Sequence, residues 1–167
     1  TCDLVGLDTL IHVANGVFEN CPNDEMRSQF ELPDFIKQMS ENKWIGDKTG
    51  QGFYKKSKDK NGKRVIEALN LKTLEYAPKQ KVKFATIGLA KQEDEVKKRL
   101  KILVAGKDKA GEFYRKSFYS TFAYVSHRIP EISDDLYKID RALKAGFGWE
   151  LGPFEMWDIL GVEKTLS

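Results

Sequence analysis

Apolar residues in the first 18 positions recur three or four apart, which predicts a helix. Two adjoining stripes share this spacing: Leu4, Leu7, Ile11, Ala14 and Phe18, and beside them Leu10, Val13 and Val17. An apolar face of that width is typical of a helix that packs on two sides. His12 lies in the same helix, and because the sequence shows no ligand or catalytic partner for it, we interpret it as a packed or capped histidine.

The same periodicity predicts four more helices further along the chain. Their apolar stripes are Phe35, Ile36 and Met39 after Pro33; Val96, Leu100, Leu103 and Val104 before Gly106; Tyr114, Phe118, Phe122, Val125 and Ile129; and Leu136, Ile139 and Leu143. Asp108 is a candidate N-cap for the third of these helices. Pro153, at the first turn, begins a further helix through Leu160. Strands do not alternate with helices, so no parallel nucleotide-binding sheet is predicted.

One β-hairpin interrupts the helices. Asn61-Gly62 is a strong two-residue hairpin turn, flanked by a strand from Phe53-Tyr54 and a return strand over residues 63–69. The hairpin carries six cations near its tip against Asp59: Lys55, Lys56, Lys58, Lys60, Lys63 and Arg64. One interpretation of these cations is an anion site that binds phosphate or a polynucleotide. The other is a solvent-exposed sheet edge that the lysines keep soluble, and we favour this second interpretation.

The composition and charge of the chain exclude several classes of protein. The 167 residues are 41% hydrophobic and 32% charged, with a net charge of only +3. These values fit a globular protein and argue against nucleic-acid binding by the chain as a whole. No apolar run is long enough to predict a membrane span. Two cysteines, Cys2 and Cys21, are too few for a disulfide scaffold, so we expect a reduced, cytoplasmic setting.

No motif in the sequence supplies a complete active site. Gly50-x-Gly52 lacks the third glycine of a dinucleotide fingerprint, and a predicted strand comes after it where that fingerprint needs a helix. No His, Cys and carboxylate residues have metal-ligand spacing, and no serine or cysteine has a visible base. We therefore predict no catalytic, cofactor-binding or metal-binding residue within the chain.

A short internal repeat joins the two ends of the sequence. Residues 3–8, Asp-Leu-Val-Gly-Leu-Asp, match residues 158–163, Asp-Ile-Leu-Gly-Val-Glu, with two identical and four conservative positions. The chain also begins and stops inside apolar helical patterns. We expect a piece of a longer protein that holds the back of one copy, a connector and the front of a second copy.

Three blocks together resemble one family. Residues 46–54, Gly-Asp-Lys-Thr-Gly-Gln-Gly-Phe-Tyr, are similar to a signature of the 3-hydroxyacyl-CoA dehydrogenase C-terminal domain. Residues 139–149 with Gly-Pro-Phe-Glu at 152–155 resemble the opening of that domain, and residues 3–8 resemble the family's segment directly after Gly-Pro-Phe-Glu. The Gly-Phe-Tyr and Gly-Pro-Phe-Glu blocks disfavour a true 6-phosphogluconate dehydrogenase helical domain, whose fold is similar.

The resemblance implies an architecture. It is a mainly helical, all-α fold with one β-hairpin, of the 6-phosphogluconate dehydrogenase C-terminal-domain-like type, in pseudo-twofold tandem repeats. The expected parts are a first copy over residues 1–77, a connector and linking helix over 78–110, and a second copy over 111–167. Each copy is expected to bury the other's apolar face. The second copy reads Phe118-Tyr119-Ser120-Thr121-Phe122 where the family places a substrate-contacting asparagine, so it resembles a degenerate copy.

The resemblance also implies a function for the parent protein. It would oxidise 3-hydroxyacyl-CoA to 3-oxoacyl-CoA in fatty-acid β-oxidation, with NAD and the catalytic His–Glu pair on an upstream Rossmann domain, so the fragment alone would be inactive. Implied partners are the acyl-CoA substrate, that Rossmann domain, an enoyl-CoA hydratase module and a second copy in a homodimer; neither nucleic acid nor a membrane is implied. The alternative is a helical interaction module whose basic hairpin binds an anionic partner.

Four residues beside the family-like turns are candidate substrate-pocket groups. They are Lys48 and Thr49 in the first copy and Phe154 and Met156 in the second. The alternative interpretation of all four is loop geometry and core packing.

Overall fold

A computed structural model describes residues 1–166 of the chain. It has two compact units, Thr1–Lys81 and Val82–Ser167. Ser167, the last residue of the predicted second copy, lies outside the described residues. The predicted connector over residues 78–110 is divided between the two units, and its part from Val82 onward contributes two complete helices to the second unit. The tandem copies over 1–77 and 111–167 remain a prediction.

The first unit begins with helices and ends with a sheet. Its elements are α1 (Cys2–Val5), α2 (Leu7–Asn20), a 3-10 turn (Arg27–Phe30), α3 (Asp34–Glu41), a second 3-10 turn (Asp47–Thr49), β1 (Tyr54–Lys58), β2 (Arg64–Leu69) and β3 (Tyr76–Pro78). Asp8 and Asp34, in the first turns of α2 and α3, suit the positive end of each helix dipole.

The predicted hairpin is present, and a third strand extends it. The sheet is antiparallel in the order β1-β2-β3, and Gly62 at the hairpin turn has a φ of 76°. The third strand, β3, has no counterpart among the predicted elements, because three residues are too short to show alternation. Pro78 is tolerated there because its strand pairs with β2 along one side only.

The core of the first unit lies between α2, α3 and the sheet. Leu7, Ile36, Met39 and Leu69 are buried together, and the Trp44 and Tyr76 rings meet edge to face nearby. Burial of these side chains stabilises the folded state by about 25 cal/mol for each Å² of apolar surface removed from water.

Much of the apolar surface of the opening helical segment is exposed. Leu10 and Val13 are 39% and 54% exposed, and Leu4 in α1 is 74% exposed. The prediction that this helix packs on two sides is therefore wrong for the described part of the chain. Periodicity reports the width of an apolar face, but it does not report what lies against that face.

Every regular element described in the second unit is a helix. Its elements are α4 (Ala85–Ala90), α5 (Val96–Ala105), α6 (Lys109–His127), α7 (Leu136–Phe147), α8 (Pro153–Leu160) and α9 (Val162–Leu166). The predicted cap of α6 is confirmed, since Asp108 Oδ1 accepts the Gly111 N–H at 3.0 Å. The Phe122 ring stacks on Trp157 at 5.4 Å between centroids and anchors a core with Leu100 and Met156.

The internal repeat has the same local backbone in both units. Gly6, between α1 and α2, has φ 109° and ψ 135°, and Gly161, between α8 and α9, has φ 88° and ψ 114°. In each unit the chain leaves one helix at this glycine and starts another. A side chain would be strained at this positive φ, which explains why glycine occupies both positions.

Candidate functional site

The 46–54 motif folds around one carboxylate. Asp3 Oδ1 accepts the Phe53 N–H at 2.9 Å, and Asp3 Oδ2 accepts the Tyr54 N–H at 2.8 Å. Asp3 belongs to α1, about fifty residues earlier in the chain. These two charge-assisted hydrogen bonds therefore fasten the start of β1 to the first helix.

The motif glycines allow this close approach. A Cβ built on Gly46 would lie 2.3 Å from the Asp3 carbonyl oxygen, and one on Gly52 would lie 2.5 Å from Asp3 Oδ1. Gly46 also has a φ of 117°. A larger residue at either position would have to displace α1 or the loop. Two of the three motif glycines thus serve contact with Asp3, which the sequence alone shows only as tight turns.

Lys48 and Thr49 lie on the same loop in different roles. Lys48 Nζ lies 3.1 Å from Asp8 Oδ1, with both side chains half exposed. This ammonium holds the pKa of the Asp8 carboxyl below its usual range. The Thr49 hydroxyl oxygen accepts the Ile45 N–H at 3.1 Å, and its own proton is within reach of the Gln51 carbonyl oxygen at 3.1 Å. The Thr49 hydroxyl is therefore used within the loop, whereas Lys48 forms a half-exposed ion pair with Asp8 at the surface.

The second unit repeats the aspartate–glycine arrangement. Asp140, on α7 and only 6% exposed, accepts the Phe154 N–H at 2.9 Å and the Glu155 N–H at 3.2 Å through its two carboxylate oxygens. A Cβ on Gly152 would lie 2.3 Å from the Asp140 Cβ. A carboxylate thus accepts two consecutive backbone N–H groups just after a glycine in each unit, and we call this arrangement the Asp–Gly lock.

Glu155 completes the start of α8. Its Oε2 accepts the Gly152 N–H at 2.7 Å, and its Oε1 lies 2.8 Å from Lys144 Nζ. Lys144 first, and then the Gly152 N–H, holds the pKa of the Glu155 carboxyl below its usual range. These bonds fix the turn that carries Phe154 and Met156.

Phe154 and Met156 face different surroundings on α8. Met156 is 8% exposed and lines an open, mainly apolar cavity of about 370 Å³ together with Leu103, Phe118 and Trp149. Phe154 is half buried, and its ring centroid lies 6.5 Å from that of Trp157. Met156 therefore borders a cavity.

The four candidate pocket residues fall into two pairs. Lys48 and Thr49 belong to the first unit, and Phe154 and Met156 belong to the second. Each pair is held by the Asp–Gly lock of its own unit. That these four residues line a substrate pocket remains a prediction.

Sequence reasoning missed the two aspartates that organise these turns. The sequence marks Asp3 only as part of the repeat and of a family-like block, and Asp140 only as part of another such block. The signal for them is indirect: a glycine one or two positions before a phenylalanine in both motifs, with no turn type that requires it. Neither aspartate is adjacent in sequence to the N–H groups that it accepts.

The described residues form neither a metal cluster nor a membrane span. Within residues 1–166, no three His, Cys, Asp or Glu side chains are grouped so that they could hold a metal ion. No helix in that range is both long and apolar enough to cross a membrane.

Comparison with known proteins finds one family match and several similar proteins. Residues 1–56 match the family described as 3-hydroxyacyl-CoA dehydrogenase, C-terminal domain. The chain is 43% identical over 165 residues to a Bacillus subtilis protein named as a 3-hydroxyacyl-CoA dehydrogenase. The aligned segment covers 99% of this chain and 20% of that protein. The chain is 30% identical over 158 residues to a fatty acid oxidation complex trifunctional enzyme of Rickettsia felis, covering 94% of this chain and 20% of that protein.

A protein of Deinococcus radiodurans that is also named as a 3-hydroxyacyl-CoA dehydrogenase is 43% identical over 63 residues, 38% of this chain and 17% of that protein. No solved structure gives a significant match. The chain spans about a fifth of the length of the first two relatives. Residues 1–56 therefore carry the sequence of the 3-hydroxyacyl-CoA dehydrogenase C-terminal domain, and nearly the whole chain is similar to one part of a longer protein of that name.

Proposed function

We propose that this chain forms a substrate-side, helical region of an NAD-dependent enzyme that oxidises 3-hydroxyacyl-CoA to 3-oxoacyl-CoA in fatty-acid β-oxidation. The observation that carries the proposal is the 43% identity over 165 residues to the Bacillus subtilis relative, since it includes both units. The family match over residues 1–56 supports it independently. The chain alone is expected to be inactive.

NAD does not fit the described residues of this chain. A dinucleotide fold needs a parallel βαβ unit whose glycine-rich turn leads into a helix. The strands of this chain are antiparallel, and the space beside Gly52 is filled by the Asp3 carboxylate. In this proposal NAD is bound by another part of a longer protein, and the chain supplies no step of hydride transfer.

The turns held by the two locks are the proposed points of contact with substrate. The half-exposed Lys48 ammonium would attract an anionic group, and the apolar cavity beside Met156 would accept an apolar one. Thr49 and Phe154 would act through the shape of the same turns. The locks keep these turns rigid, so binding requires little ordering of the protein.

The proposal includes partners and a location. The partners are the acyl-CoA substrate, a Rossmann domain, an enoyl-CoA hydratase module and a second copy in a homodimer. The name of the Rickettsia felis relative, a trifunctional enzyme of a fatty acid oxidation complex, supports a multidomain setting. Both cysteines are free, which suits a reduced, cytoplasmic compartment.

An exchange protein tests the proposal. The 165 matched residues of the Bacillus subtilis relative are replaced by those of this chain, and NADH formation from a 3-hydroxyacyl-CoA is followed. We expect turnover in the exchange protein and none in the 167-residue chain alone. A second exchange protein with Met156→Lys, which places a charge beside the apolar cavity, should have a raised KM. If the Bacillus subtilis relative keeps its turnover after the matched residues are deleted and nothing replaces them, the proposal is contradicted.

A further inference from the structure

One face of the first unit's sheet is strongly cationic. Lys56 is paired with Ile66 across β1 and β2, and Lys58 with Arg64, so these side chains share a face. The Lys79 ammonium lies over the Tyr54 ring at 4.9 Å, which places it on the same face. We call this surface, formed by Tyr54, Lys56, Lys58, Arg64, Ile66 and Lys79, the cationic face. The opposite face of the sheet packs into the core through Leu69 and Tyr76.

The cationic face holds more positive charge than its own acids neutralise. Asp47 lies 3.4 Å from Lys56 Nζ, but among the described residues no carboxylate pairs with Lys58 or Arg64. Asp59, the acid of the hairpin turn, accepts the backbone N–H groups of Asn61 and Lys63 at 2.9 Å each. The directly opposed Lys58 and Arg64 repel each other, which costs the sheet stability unless an anion lies between them.

The centre of the cationic face is aromatic and apolar. Tyr54 is 48% exposed and Ile66 is 51% exposed, and the cations surround them. Successive side chains on one face of a strand are about 6.6 Å apart, so Lys56, Lys58 and Arg64 reach phosphate groups over a short span. Exposed aromatic and apolar side chains contact a base, while the surrounding cations hold its phosphates. This combination fits a nucleotide with several phosphates better than it fits a neutral partner.

We propose that the cationic face binds the 3′-phosphoadenosine diphosphate part of coenzyme A. The inference rests on the proposed function, because it takes an acyl-CoA as the substrate that brings this nucleotide to the protein. Lys58 and Arg64 hold one phosphate group between them, and Lys56 and Lys79 hold the others near Tyr54. The site would anchor the nucleotide end of the substrate on the sheet.

Calorimetric titration of the 167-residue chain with coenzyme A, and separately with adenosine 3′,5′-bisphosphate, tests the inference. We expect both to bind, and the double variant Lys58→Glu/Arg64→Glu to weaken both by about tenfold or more, since each lost charge-assisted hydrogen bond costs about that factor. This variant keeps two like charges opposite each other, so the sheet's cross-strand repulsion is unchanged. The control Lys97→Glu/Lys101→Glu, on exposed positions of α5, makes the same change in net charge and should leave both affinities within about twofold.

Three results would overturn the inference: no binding of either ligand, equal loss in both double variants, or tighter binding of single-stranded DNA than of coenzyme A. The last would assign the cationic face to a polynucleotide. Failure here is distinct from failure of the proposed function. If the exchange protein is active and Lys58→Glu/Arg64→Glu leaves its KM unchanged, the nucleotide site is wrong and the proposed function stands. If the exchange protein is inactive while the chain still binds coenzyme A, the proposed function is wrong and the nucleotide site stands.

Discussion

Gly52 lies so close to Asp3 that a Cβ on the glycine would come within 2.5 Å of the aspartate Oδ1. Gly152 stands in the same relation to Asp140, at 2.3 Å from its Oδ1. In both places the aspartate accepts the next backbone N–H groups along the chain. The two units thus build their turns with the same contact, and the glycine is required by the carboxylate that lies against it.

Replacing Gly52 by alanine should destabilise the first unit. The new methyl group would overlap Asp3 Oδ1 and, at 2.7 Å, the Gly46 Cα, so the loop or α1 must shift. We expect a loss of about 1–3 kcal/mol in the free energy of unfolding, measured by urea denaturation. Gly16→Ala is the matched control. Gly16 is helical with open space around it, so this change should stabilise by about 0.5–1 kcal/mol. Equal effects of both substitutions would contradict the close contact.

Removing the Asp140 carboxylate should destabilise the second unit. Asp140→Ala leaves the Phe154 and Glu155 N–H groups without their acceptor at the start of α8. We expect a cost of roughly 1–3 kcal/mol, read from thermal unfolding followed by circular dichroism. Asp134→Ala, at an exposed position outside α7, should change stability by less than about 0.5 kcal/mol. If the two variants unfold alike, Asp140 does not hold the turn.

Much of the fold could be predicted because it depends on local patterns. The stripes on α5 and α6, the Asp108 cap and the Asn61-Gly62 turn all involve residues close in sequence, and the structure confirms each. The three-residue strand β3 escaped prediction because it exists only through pairing with β2. The exposure of Leu10 and Val13 escaped for a related reason, since no local pattern says which face another element covers.

The organisation of the site could be predicted less well. Lys48 and Thr49 are recognisable in the sequence as turn residues, and the structure gives each a contact within the first unit. The link from Asp3 to Phe53 spans about fifty residues and leaves no periodic trace in the sequence. Glycine before an aromatic residue is the only visible sign of it.

Acid should weaken the second unit through Glu155. Because Lys144 and the Gly152 N–H lower the pKa of this carboxyl in the folded state, its contribution to stability is complete above the ordinary value of 4.5 and is lost as pH falls through the lower folded value. Glu155→Gln should therefore lose less stability than the unchanged chain between about pH 5 and pH 3. Urea midpoints across that range measure this, with Glu150→Gln, at an exposed position, as the control that follows the unchanged chain. If stability falls with pH in the same way for all three proteins, Glu155 does not cause the acid sensitivity.

The repulsion between Lys58 and Arg64 predicts a stabilising substitution. Arg64→Glu converts the directly opposed pair into an attractive one and should raise the free energy of unfolding by about 0.2–1 kcal/mol at low salt, with the gain shrinking as salt is added. Lys72→Glu, in the exposed turn after β2, makes the same charge change away from the pair. Urea denaturation at two salt concentrations compares them, and an equal gain in both variants would show that net charge, not the cross-strand pair, is responsible.

We propose above that this chain works as part of a 3-hydroxyacyl-CoA dehydrogenase. The most direct test of this claim is kcat/KM of the exchange protein, in which this chain replaces the matched 165 residues of the Bacillus subtilis relative. We predict a value within about tenfold of that relative's own, equivalent to about 1.4 kcal/mol of transition-state stabilisation. A folded exchange protein that binds NAD but shows no oxidation of 3-hydroxyacyl-CoA would contradict the claim.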